Sequence, residues 1–101
     1  MRIVHVRYKV KPEAAAENER LSKEVYAELE RKKPAGLRYE TFKLPDGVTF
    51  VHLGIIDAPE GENPLTSLDS FKAFTADIKS RCAEPPVNDQ VVAIGRYAGS
   101  R

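Results

Sequence analysis

The sequence predicts an α+β domain of βαββαβ order, in which both helices cover one face of a four-stranded antiparallel sheet. Three observations carry this prediction. Residues Ile3 to Val10 alternate, with Val4, Val6, Tyr8 and Val10 on one side and Ile3, His5, Arg7 and Lys9 on the other. Two later segments repeat apolar residues at helical spacing. Between them, two strand-like runs flank Pro45-Asp46-Gly47, a short hairpin connection.

Each element has its own local signals. Pro12 suits the first position of a helix, and Glu13 complements the dipole there. Ala14, Leu21, Val25 and Leu29 give that helix one apolar stripe over residues 12–33. Its other face is charged, with Glu19–Lys23, Arg20–Glu24 and Glu28–Lys32 one turn apart, and Pro34 and Gly36 end it. Leu37 to Leu44 and Val48 to Ile56 are the second and third strands. The segment from Asp57 to Pro64, rich in acids and prolines, is a surface loop or lid rather than a calcium loop. Thr66 and Asp69 have capping-box spacing, and Leu68, Phe71, Phe74, Thr75, Ile78 and Cys82 form the second helical stripe. Glu84-Pro85-Pro86 breaks that helix, and Val91 to Tyr97 reads as the last strand. This order is ferredoxin-like, and right-handed crossovers then give the strand order 4-1-3-2.

Length and composition narrow the function. A chain of 101 residues has the size of one domain spanning 1–101. Sixteen basic residues nearly cancel fifteen acidic ones, and the charges are interspersed. No basic stripe for a nucleic acid results. No apolar run approaches the ~20 residues of a membrane span, so no membrane partner is expected. Cys82 is the only cysteine and reads as a packing residue. The expected setting is the cytoplasm.

Placing Leu44 opposite Val48 in the hairpin pairs Phe42 with Phe50, Glu40 with His52 and Arg38 with Gly54. Val4, Val6, Tyr8, Leu37, Tyr39, Val51, Leu53 and Ile55 then lie under the helices. The outer face receives Ile3, His5, Arg38, Glu40, Phe42, Phe50 and His52. A patch of this mixed character predicts self-association through the outer face, as a homodimer. The same register brings His52 beside Glu40 and near His5. Two histidines and a carboxylate are metal-ligand types, yet the pattern favours an interface histidine pair and no metal is assigned.

Several stretches resemble the dimeric α/β-barrel superfamily, in its antibiotic biosynthesis monooxygenase-like (ABM) branch. They are Val6-Arg7-Tyr8-Lys9-Val10-Lys11-Pro12, Pro34-Ala35-Gly36-Leu37-Arg38-Tyr39-Glu40, Phe50-Val51-His52-Leu53 and Leu68-Asp69-Ser70-Phe71-Lys72-Ala73-Phe74. The resemblance covers nearly the whole chain. It implies two sheets packed face to face and a ligand cavity in each subunit between the sheet and its own helices. Haem-degrading members use an asparagine on the first strand, a tryptophan on the third and a histidine on the second helix. Here the first position is Val6, the chain has no tryptophan and the second helix has no histidine, so neither haem nor another cofactor is implied.

The resemblance implies a cofactor-independent monooxygenase acting on a small aromatic compound of phenol, quinol or polyketide-like type. The alternative is a non-catalytic small-ligand-binding or stress-related barrel protein. Tyr8, Asn18, Tyr39, Phe71, Phe74 and Ile78 point to one interior and are the pocket candidates. Asn18 stands out because it interrupts the stripe between Ala14 and Leu21. Arg81 and Lys79 read as solvated helix charges, and no catalytic residue is assigned. An RNA-recognition module on this scaffold needs stacking aromatics on its first and third strands, whereas the first offers Ile3, His5 and Arg7.

Overall fold

A computed structural model of the protein describes residues 1–100. The elements are β1 (Arg2–Val10), α1 (Ala15–Lys32, entered by a 3-10 turn at Pro12–Ala14), β2 (Leu37–Lys43), β3 (Thr49–Ile56), α2 (Asp69–Ala76), α3 (Ile78–Arg81) and β4 (Cys82–Val91). All pairings are antiparallel and the sheet order is β2-β3-β1-β4, the predicted ferredoxin-like arrangement. Tyr8, Val10, Val25, Phe50, Leu65, Leu68 and Phe74 form the buried core between the sheet and the helices. No helix among the described residues is long and apolar enough to cross a membrane.

The hairpin differs from its prediction by one residue, and the consequence is large. Lys43 faces Phe50, Thr41 faces His52 and Tyr39 faces Gly54. The cause is a four-residue loop, closed by a bond from the Gly47 N–H to the Leu44 carbonyl at 2.9 Å. Asp46 draws Val48 into this loop: its Oδ1 accepts the N–H groups of Val48 and Thr49, both at 2.9 Å, and its Oδ2 accepts the Thr49 hydroxyl. These bonds hold the Asp46 carboxyl down at about 2. The Val48 carbonyl meanwhile accepts the N–H of Val10, tying the loop to the end of β1.

A slip of one residue turns a whole strand over. Phe50, His52, Gly54 and Ile56 therefore lie under the helices, and Val51, Leu53 and Ile55 face outward. The faces predicted for β1 and β2 hold. Phe50 and His52 leave the predicted outer patch, with only 2% and 5% of their surface exposed.

Two boundaries also move. β4 begins at Cys82, so Glu84-Pro85-Pro86 lies within an edge strand, at an irregularity in its pairing with β1. An edge strand with a bulge tolerates residues that lack an N–H. Val91 pairs with Ile3, and β1 is then exhausted, so Val92 to Tyr97 add no strand. The second predicted helix, whose stripe runs from Leu68 to Cys82, is two pieces, interrupted at Asp77. The N-terminal cap of α2 is Leu68, and Thr66 turns its hydroxyl to the Asn63 carbonyl, so the capping box does not form. Glu28 of α1 supplies the missing acceptor. Its Oε1 takes the Ser70 N–H at 2.9 Å and the Ser70 hydroxyl at 2.5 Å, while Oε2 pairs with Lys32 at 2.6 Å. A carboxylate at a helix N-terminus also meets the favourable end of the dipole. Lys32, then the two Ser70 donors, hold the Glu28 carboxyl down at about 2.

Candidate functional site

Between the sheet and α2 lies a cavity of about 270 Å³. Val4, Val6, Leu37, Ile56, Leu65, Phe71, Phe74 and Ile78 form its apolar wall. Gly54 sits in the floor where every other strand position would project a side chain; a Cβ there would meet only Tyr39 Cδ1, at 3.9 Å. A cavity of ~150 Å³ holds a benzene ring, so this one suits a ligand of one or two rings. Its polar groups are few: the phenols of Tyr8 and Tyr39, the imidazole of His52, and Asn63, Thr75 and Asn88. An apolar chamber with a small number of directed polar groups is the usual form of a small-molecule site.

Tyr8, Tyr39 and His52 belong to one connected chain of hydrogen bonds. The Arg81 Nε–H donates to Asn18 Oδ1 at 3.1 Å, and Asn18 Nδ2 donates to Tyr8 Oη at 2.8 Å. Tyr8 Oη lies 2.7 Å from His52 Nε2. On the other side of the ring, Nδ1 lies 2.5 Å from Tyr39 Oη and 3.2 Å from Thr41 Oγ1, and Tyr26 Oη bonds Thr41 Oγ1 at 2.7 Å. The rings are stacked as well as bonded, with Tyr8 against Phe50 (centroids 5.7 Å apart) and against His52 (5.3 Å).

Burial sets the charge states. It pushes the His52 imidazole down to about 4, so the ring is neutral near pH 7. It raises both the Tyr8 and the Tyr39 phenols well above the ordinary tyrosine value, although the Asn18 donor and the Arg81 charge oppose it at Tyr8. Arg81 is itself buried, at 6% exposure, and no carboxylate forms an ion pair with it among the described residues. Its Nη2 donates to the Phe74 carbonyl at 2.7 Å, and its guanidinium lies 5.0 Å from the Phe74 ring centre. The Lys11 N–H bonds the Arg81 carbonyl at 2.8 Å, which fixes α3 against the end of β1.

Five of the six predicted pocket residues, Tyr8, Tyr39, Phe71, Phe74 and Ile78, line this cavity. Asn18 lies behind it, fully buried, and reaches the cavity through Tyr8. Ile3, His5, Arg38, Glu40 and Phe42 lie on the outer face, where Glu40 pairs with Leu53 and not with His52. The His5–Glu40–His52 trio is thus split between the two sides of the sheet, and among the described residues no cluster of metal-ligand side chains forms. Sequence reasoning missed His52, Arg81, Gly54 and Thr41 as parts of the site. For His52 the missing signal was Asp46 with Thr49 three residues on, which predicts the longer loop. For Arg81 it was the helical stripe itself, which reaches position 81 from Phe74 and Ile78.

Neither the protein-family models nor the curated proteins include a match to the sequence. Solved structures do match. The chain resembles an antibiotic biosynthesis monooxygenase with a TM-score of 0.75 and 20% identity, over 94% of this chain and 100% of that one. It resembles Rv0793 from Mycobacterium tuberculosis with a TM-score of 0.76 and 13% identity, over 96% and 98%. SnoaB from Streptomyces nogalater, a cofactor-independent oxygenase seen in a mutant form, matches with a TM-score of 0.67 and 15% identity, over 94% and 95%. The protein has the ferredoxin-like α+β fold of the ABM-like structures, across almost its whole length.

Proposed function

We propose that the protein is a cytoplasmic homodimeric barrel that binds a small aromatic compound in each subunit and acts as a cofactor-independent monooxygenase on a phenol or quinol. The observation that carries this reading is the apolar cavity lined in part by the hydrogen-bonded Tyr39–His52–Tyr8 cluster. Flat apolar walls suit an aromatic ring, and the phenol groups suit its oxygen substituent. The likeness to SnoaB, described as a cofactor-independent oxygenase, supports the reaction class. In such a reaction a ring carbon bearing two hydrogens, in the keto form of the phenol, becomes a carbonyl. That carbon supplies the four electrons, one oxygen atom of O2 enters the product and the other leaves as water. No external reductant is needed. The cavity volume favours one- or two-ring substrates over larger polyketides.

The homodimer is supported by the outer face. Val51, Leu53 and Ile55 of β3, Phe42 of β2, and Val87 and Val91 of β4 share it with Ile3. Phe42 and Val87 are at least half exposed, and a sheet covered on one side only benefits from a second layer.

Oxygen uptake with a panel of one- and two-ring phenols and quinols tests the catalytic reading, with the Gly54→Val variant as the blocked-cavity control. Turnover by the wild type and its loss in the variant is the expected result. Thermal protection by a phenol without oxygen consumption returns the protein to the non-catalytic ligand-binding class. The absence of both uptake and protection sinks the pocket.

A further inference from the structure

The hydrogen-bond chain has a direction, and Arg81 sets it. A guanidinium only donates, so the Asn18 atom facing it is the carbonyl oxygen, and the Asn18 amide group must face Tyr8. Tyr8 Oη therefore receives a proton from Asn18, and its own proton finds an acceptor in His52 Nε2. Because burial keeps His52 neutral, its single proton then resides on Nδ1 and is given to Tyr39 Oη, the nearer of its two neighbours. Tyr39 thus accepts from His52, and its own proton is left for a partner other than the ring, with Thr41 beside the hydroxyl and the cavity along its side chain.

We propose that Arg81, Asn18, Tyr8 and His52 act as positioning residues that turn the Tyr39 hydroxyl outward as a donor, so that the cavity selects the oxyanion of a phenolate or enolate over the neutral hydroxyl compound. The ligand class rests on the pocket reading above; the direction of the chain does not. Each link donates toward the cavity, starting from a cation with no carboxylate partner among the described residues. A buried positive charge without a direct ion-pair partner favours negative charge in the adjoining space, although the more distant Glu17 carboxylate also feels it. Successive donors pointing one way also strengthen one another.

The chain can be reversed with an almost isosteric change. In Asn18→Asp the carboxylate accepts from both Arg81 and Tyr8. Tyr8 then accepts from His52 Nε2–H, Nδ1 accepts from Tyr39, and the outward proton is lost. Heteronuclear NMR of the imidazole nitrogens in the ligand-free full chain reads this directly. His52 is expected as the Nδ1–H tautomer in the wild type and as Nε2–H in Asn18→Asp. An Nε2–H tautomer in the wild type overturns the proposal, and that spectrum suffices if the variant does not fold. A second measurement follows the absorbance of para-nitrophenol on binding. The wild type is expected to hold the phenolate about tenfold or more above the phenol, and Tyr39→Phe to erase that preference while leaving the tautomer at Nδ1–H. Wild-type preference for the neutral phenol, no binding of either form, or full preference in Tyr39→Phe also overturns it. Phenolate binding without oxygen consumption by any substrate sinks only the catalytic reading.

Discussion

The two faces of the sheet divide their residues against the usual expectation. Beneath the helices β3 presents Phe50, then His52 and Gly54; on the outside it presents Val51, Leu53 and Ile55. The inner face thus gives up apolar area to a histidine and a glycine, and what it gains is a hydrogen-bonded cluster beside a cavity. Polar groups are retained in an interior only when they are paired, and here every buried side-chain nitrogen and oxygen among the described residues has a partner. The outer face keeps branched aliphatic residues that are only half-covered. Hydrophobicity alone does not say which face of a sheet is its core. A satisfied polar network can hold the inside while apolar side chains stay partly exposed outside.

The largest expected effect separates the faces outright. Phe50→Asp places a charge in the centre of the core, against Tyr8, and is expected to cost more than about 4 kcal/mol, measured by denaturant unfolding. A folded Phe50→Asp protein that merely loses self-association would restore the register in which Phe50 faces outward.

Next comes the cost of keeping His52 neutral. Its value in the folded chain, about 4, lies below the 6.5 of an unperturbed histidine. The unfolded chain therefore takes up a proton first as pH falls. Stability is fully present above pH 6.5, falls between 6.5 and about 4, and levels below that, a loss of up to about 3 kcal/mol. The low values of Glu28 and Asp46 act in a separate window: their contributions are present above ordinary carboxylate pH and vanish toward about pH 2. His52→Asn is expected to flatten the slope between pH 6.5 and 5. An unchanged slope in this variant would detach it from the buried ring.

The smallest expected effect on folding belongs to the outer face. Leu53→Asp is expected to change the stability of the single chain by less than about 1 kcal/mol, yet to abolish the proposed homodimer in light scattering. A dimer that survives this change places the contact elsewhere.

Much of the fold and of the cavity wall is legible in the order of the residues. Alternation in Val4, Val6 and Tyr8, the apolar stripes and the hairpin residues specify the element order, because periodicity is a property of the local chain. The same periodicity places Tyr8, Tyr39, Phe71, Phe74 and Ile78 around one interior. The face of β3 is not legible in this way. His52 and Leu53 are neighbours in sequence, and which one points inward depends on how many residues the turn consumes. The helical stripe reaches Arg81, but nothing local shows that its partner is Asn18, sixty-three positions away.

The sequence by itself determined the βαββαβ order, the first helix, the faces of β1 and β2, and most of the cavity wall. Those follow from patterns within a single element, where each side chain's direction is set by the repeat of its own backbone. Tertiary structure alone decided the end of β4 and the joining of Arg81, Asn18, Tyr8, His52 and Tyr39 into one chain. Those depend on hydrogen bonds between distant elements. The register of β3 lies between the two cases: a single carboxylate, Asp46, sets it by taking two nearby backbone N–H groups into a turn, which strand periodicity does not show.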